Sequence, residues 1–169
     1  MPAYRSFARG RHIESSDALD LALDDAWGNP TKHGAELQRQ LDECMALIPQ
    51  EDTVKPWTEE ANHAQDAGMS VAYVLRARIG GESQEAAWSA RHAWESLYQF
   101  VIDREGLDIN KPSDMGHVLS HPLVQAELAR QRRDLDELLS VSGEILQPVI
   151  TRLRDRANAE SERFFTAGL

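Results

Sequence analysis

The 169 residues are 41% hydrophobic and 27% charged, which suits a single domain with a sizeable core and is too apolar for a disordered chain. A net charge of −10 works against binding nucleic acid or an anionic membrane surface. The longest apolar runs, Val71 to Leu75 and the equally long Cys44 to Ile48, are far too short to span a bilayer, and the opening MPAYRSFARGRHIESS has basic residues without the apolar stretch of a signal peptide.

Residues 1–15 read as a basic arm or extended segment, and 16–169 as a helical domain. Ser16 is placed to cap a helix over 17–28 with Leu19, Ala22, Leu23 and Ala26 on one face, and GNP at 28–30 ends it. A second helix over 34–48 aligns Leu37, Leu41, Cys44, Met45 and Ile48 before Pro49 stops it. Cys44 is the sole cysteine. Its place in that stripe marks a buried thiol rather than a nucleophile, and it has no partner for an internal disulfide, so the expected compartment is the cytoplasm.

After the loop PQEDTVKPW, Thr58 caps a third helix with Glu59 and Glu60 in its first turn, where the helix dipole favours acids. Ala61, Ala64, Gly68, Val71, Ala72, Leu75 and Ile79 form its apolar stripe, and Gly80-Gly81 ends it. Ser83 is placed to cap a fourth helix running to Glu105, with Gly106 as its stop. LDINKPSDMGHVLS reads as a loop with room for one short turn from Ser113. Pro122 suits the first position of a fifth helix capped by Ser120 or His121 and reaching about Ser140. Gly143 and Pro148 imply a break or kink. A last helix to about Phe165 carries Leu146, Val149, Ile150, Leu153, Ala157 and Phe164 on one face. No alternating strand pattern competes. The predicted fold is all-α, a single-domain antiparallel bundle of about six helices.

Glu60-x-x-His63 has the spacing of a di-metal bundle ligand pair, but that chemistry needs a second such motif and two more carboxylates aimed into the core. No second motif exists, and the helical wheel turns His63 toward water, so the pair reads as a solvated first turn. His92-x-x-Glu95 has the reverse order and lies opposite the apolar face of Ala86, Ala90, Ala93, Trp94, Leu97 and Val101. His117 and His121 are separated by a loop and have no third ligand nearby, so they read as loop and capping residues. RIGGES (78–83) follows a helix, not a strand, and is no phosphate loop. A Gly-x-Ser-x-Gly elbow and a His-Glu-x-x-His pair are absent. The chain is therefore expected to be no enzyme, with no catalytic residue, metal or cofactor.

Two polar features remain open. Trp88, His92, Glu95 and Gln99 form a stripe that either makes a second helix contact or leaves Trp88 partly exposed as a binding anchor. Gln131 falls inside the stripe of Val124, Leu128, Leu135 and Leu138, with Glu127 at its edge. A buried Gln must find partners, either another helix or a ligand in a polar pocket.

The blocks IPQED (48–52), AQDAGMSVAYVLRARIGGESQEAAWSARHAWESLYQFV (64–101) and HPLVQAELARQRRDLDELL (121–139) resemble the YjaG-type bacterial all-helical domain of unknown function. The resemblance spans roughly 17–157. It rests on Asp66-Ala67, Gly81, His121-Pro122-Leu123, Glu127 and Gln131. It implies the helical fold, with a shortened N-terminus, and brings no catalytic residues.

The charge is unevenly placed. Residues 13–68 hold thirteen acids against Lys32, Arg39 and Lys55, so the first third carries the whole imbalance. Such a field attracts a basic partner and speeds association. The leading expectation is a non-enzymatic acidic binding protein, an immunity protein neutralising a basic toxin domain in interbacterial competition. Asp17, Asp20, Leu21, Asp24, Glu51, Asp52, Trp88, His92 and Glu95 are the residues expected to meet that partner. A housekeeping bundle binding a small ligand near Glu127 and Gln131 is the second reading, and a metal-dependent enzyme the third.

Overall fold

The computed structural model describes residues 17–28, 34–52, 54–141 and 146–166. Among them are seven helices and no strand: α1 (Asp17–Gly28), α2 (Gly34–Leu47), α3 (Glu59–Gly80), α4 (Ser83–Glu105), α5 (Pro112–Ser120), α6 (Pro122–Leu139) and α7 (Leu146–Thr166). The fold is all-α. The 1–15 arm, the Ser16 cap, the Gly143 break and the Phe164 side chain lie outside the described residues.

The helix ends follow the local chemistry. Thr58 is extended and its hydroxyl accepts from the Ala61 N–H at 3.3 Å, the N-cap bond that satisfies an orphan donor of α3. Gly81 (φ 72°) and Gly106 (φ 62°) are left-handed and close α3 and α4 by donating to Ala77 and Ile102, a conformation that glycine adopts without a Cβ clash. Ser83 does not cap α4. The left-handed turn at Gly81 leaves Glu82 as the last extended residue, with no side-chain cap bond. His121 caps α6, with Nδ1 accepting from the Leu123 N–H at 3.3 Å.

One expected loop is a helix. Nine-residue α5 begins at Pro112 and buries only Val118. So short a helix with one core contact leaves almost no periodic signal.

The chain divides into two compact units, residues 1–127 and 128–169. In the first, Leu19 and Ala22 of α1, Leu37, Leu41, Cys44 and nearby Ile48 of the second element, and Ala61, Ala64, Val71, Ala72 and Leu75 of α3 form one core. Arg78 of α3 donates to the Asp25 carbonyl at 2.7 Å, which satisfies an orphan carbonyl at the end of α1. Val101 and Ile102 of α4, Val118 of α5 and Val124 of α6 form a second core with Trp94, Tyr98 and Leu123 packed against it.

In the second unit, the end of α6 and α7 run antiparallel, as their ion pairs show. Asp134 and Glu137 both bind Arg156, at 2.6 and 2.9 Å. Glu137 also binds Arg152 at 2.8 Å, and Arg133 binds Glu160 at 3.0 Å. Val149 and Leu153 are buried. The expected α6 core stripe is corrected here. Val124 is buried, but Leu128 is 41% and Leu135 56% exposed. The α6 face that meets α7 is the charged one, which turns those leucines away from it.

Candidate functional site

α3 is amphipathic in an unusual sense, because its second face is also covered. The apolar stripe meets α1 and α2. The opposite stripe, His63, Asp66, Ser70 and Tyr73 at spacings of three and four, meets α4. The two helices are joined by Gly81 and Glu82 alone, so they pack as a hairpin.

Polar groups pair at several levels of the seam. Ser89 Oγ donates to the Ser70 carbonyl at 2.9 Å, and Ser70 Oγ to the Ser89 carbonyl at 3.2 Å. Two small side chains at this level let the backbones approach. One turn from there, His92 Nδ1 lies 3.1 Å from Asp66 Oδ1 and 3.8 Å from Glu95 Oε2. The Tyr73 ring stacks on His92 with centroids 5.3 Å apart and meets Trp88 edge-on at 5.2 Å. Toward the start of α3, His63 Nε2 lies 3.8 Å from Asp103 Oδ2, and Gln99 donates to the other Asp103 oxygen at 2.7 Å. Burial raises the Asp66 carboxyl above its usual range, against the opposing hydrogen bond from His92.

This geometry corrects one expectation and decides another that was left open. His63 does not face water: its side chain is 18% exposed and sits between α3 and α4 near Phe100. The stripe of Trp88, His92, Glu95 and Gln99, left open between a second helix contact and an exposed Trp88, does make a helix contact: His92 meets Asp66 and Trp88 meets Tyr73 of α3. Trp88 meets Tyr73 and is still 40% exposed, so both readings of it hold together. Glu95 is bound by Arg91 at 2.8 Å. Glu60 is solvated as expected, its carboxyl lowered by its own backbone N–H and by Thr58. A cleft of about 250 Å³ opens where the seam ends, between Glu59, Glu60, His63, Phe100, Asp103 and Arg104.

The seam residues Ser70, Tyr73, Ser89 and Asp103 escaped the sequence reading, and Asp66 entered it only through the family resemblance. Their signal was present as two complementary polar stripes on consecutive helices joined by a two-residue turn.

A third imidazole cluster corrects the expectation that His117 and His121 have no further ligating side chain nearby. Glu105 lies between them, 2.7 Å from His117 Nε2 and 3.4 Å from His121 Nε2. Because the Leu123 N–H donates to His121 Nδ1, the neutral His121 ring carries its proton on Nε2, the nitrogen 3.4 Å from Glu105. That nitrogen has no lone pair to offer a metal. Among the described residues no group of three or more His, Cys, Asp or Glu side chains could hold a metal ion.

The acidic residues of α1 lie apart from the seam. Asp17 and Asp24 are exposed, Asp20 is half-buried, and Leu21 between them is 60% exposed. Asp25 is taken up by Gln40 of α2. Glu51 and Asp52 are exposed in a turn after Pro49. Glu127 and Gln131 are each half-buried and each engaged by a partner.

The family model described as protein of unknown function (DUF416) matches residues 1–162, and the chain belongs to that family. No curated protein and no solved structure matches it.

Proposed function

We propose that this chain is a non-enzymatic, acidic helical binding protein that neutralises a basic protein partner in the cytoplasm. The specific reading is an immunity protein of the YjaG type, acting on the toxin domain of a bacterial competition system. The observation that carries it is the α1 face: Leu21 is 60% exposed amid Asp17, Asp20 and Asp24. An apolar side chain ringed by carboxylates fits a binding surface, in which the charges steer a basic partner and the apolar group is buried on contact. The net charge of −10 extends that field over the molecule.

The test replaces Asp17, Asp20 and Asp24 together by Asn. Binding to a toxin domain encoded beside this gene is then measured by surface plasmon resonance at low and high salt. Association should slow in the variant, and in the wild type it should slow as salt rises, since exposed charges reach only about 8–10 Å near physiological ionic strength. Leu21→Ser should instead speed dissociation. Equal association rates for wild type and triple variant at both salts would leave the acidic face a solubility feature and remove the reading's main support.

A further inference from the structure

We propose that the cleft between α2, the C-terminal end of α3 and the first turn of α4 binds a small zwitterion of the free amino-acid class. The cleft holds about 390 Å³ and is lined by Gln38, Leu41, Arg76, Ile79, Glu82 and Glu85, with Gly80 at its edge. That volume falls at the lower end of small-molecule sites, which span roughly 300–1,000 Å³.

Arg76 supplies the positive charge of the cleft. Its guanidinium carbon sits 5.4 Å from the Tyr73 ring centroid, so the group is held over an aromatic face. No carboxylate or carbonyl among the described residues engages its N–H donors. Arg78, two residues on, is spent on the carbonyls of α1, and Arg39 and Arg91 each hold a glutamate of their own helix. A guanidinium fixed by stacking, with its edge unused, is a receptor for a planar carboxylate.

Glu85 supplies a negative charge. Its Oε2 is shut off from solvent without a donor, so the carboxylate is partly stripped of water and has no cation beside it. A group in that state gains from an ammonium or other donor brought to it. Arg76 and Glu85 line the same cleft without forming an ion pair, so each leaves the other's charge uncompensated.

The combination selects the ligand. A simple anion would satisfy Arg76 but lie against Glu82 and Glu85. A doubly charged phosphate would be repelled by them more strongly. A cation alone would meet Arg76. A molecule bearing a carboxylate and an ammonium a few bonds apart satisfies both charges. Leu41 and Ile79 supply an apolar wall for its side chain.

The experiment titrates the purified full chain calorimetrically with each common L-amino acid, then with the N-acetyl and amide derivatives of the tightest binder. Saturable binding of at least one free amino acid is expected. Removing either ligand charge should weaken it about tenfold or more, as should Arg76→Met and Glu85→Gln, since each deletes a charge-assisted hydrogen bond. Circular dichroism and thermal melting check that the variants are folded. If Arg76→Met does not fold, Arg76→Gln and the two ligand derivatives still decide the matter. No heat of binding from any amino acid at about 10 mM, equal affinity for the blocked derivatives, or wild-type affinity in both variants would each overturn the proposal. None of these outcomes depends on the acidic face of α1.

Discussion

At Gly68 the reason for a glycine inside a long helix is steric. A Cβ there would come within 2.6 Å of Ile48 Cγ1, and Ile48 is itself 3% exposed. The contact is with the branched part of the side chain, not a flexible end, so Ile48 cannot swing aside. Gly68→Ala should therefore lower stability by about 1–2 kcal/mol in urea unfolding, even though alanine favours a helix by about 1 kcal/mol over glycine. A stabilised variant would show that Ile48 has room to move. Cys44 illustrates the opposite case, in which the sequence pattern was sufficient. It is 1% exposed, and burial, with a smaller push from Glu43, raises its thiol to about 11. At mildly alkaline pH it carries almost no thiolate. It should react with a disulfide reagent only as fast as the protein opens, and fully at once in denaturant. Rapid labelling of the native chain would contradict its place in the core.

Among the elements, the charged contact between α6 and α7 should make itself felt in acid. Hydrogen bonds from Arg152 and then Arg156 hold the Glu137 carboxyl below its ordinary value of 4.5. A carboxylate lowered on folding contributes stability above its unfolded pKa, and that contribution is lost as pH falls through the folded value. Glu137→Gln should therefore loosen α6 and α7 at neutral pH, read as faster amide exchange across both helices. The difference from wild type should stay constant down to about pH 4.5 and shrink below it. A difference that grows on acidification would reverse the assignment. The α3–α4 seam shows why such contacts are hard to read from one helix at a time. Hydrophobic periodicity on α4 selected the Ala86, Ala90 and Ala93 side as the packing face. The contact with α3 runs through Ser89, His92 and Asp103, on the side of the second stripe that the sequence left open, because α3 offers polar partners of matching spacing.

For the molecule as a whole, the net charge of −10 is a property of the surface, not of the fold. Asp17 and Asp24 are exposed, and exposed charges contribute little to stability. Combined replacement of Asp17, Asp20 and Asp24 by Asn should shift the melting temperature by no more than a few degrees while changing partner association. A large loss of thermal stability would mean that these carboxylates hold α1 in place.

What the sequence determined by itself were the features set within a few residues of one another. Thr58, Gly81, Gly106 and Pro122 bound their helices because capping, left-handed turns and proline's fixed φ act locally. The apolar stripe of α3 was legible up to Leu75, though not at exposed Ile79, because a 22-residue helix repeats its pattern often enough to be unambiguous. Tertiary structure decided the rest. The burial of His63, the exposure of Leu128 and Leu135, the meeting of Glu105 with His117 and His121, and the shared cleft of Arg76 and Glu85 depend on how each helix is rotated and on what stands opposite. A helical wheel gives the relative angle of two side chains on one helix, but only the neighbouring element determines which of those angles faces water.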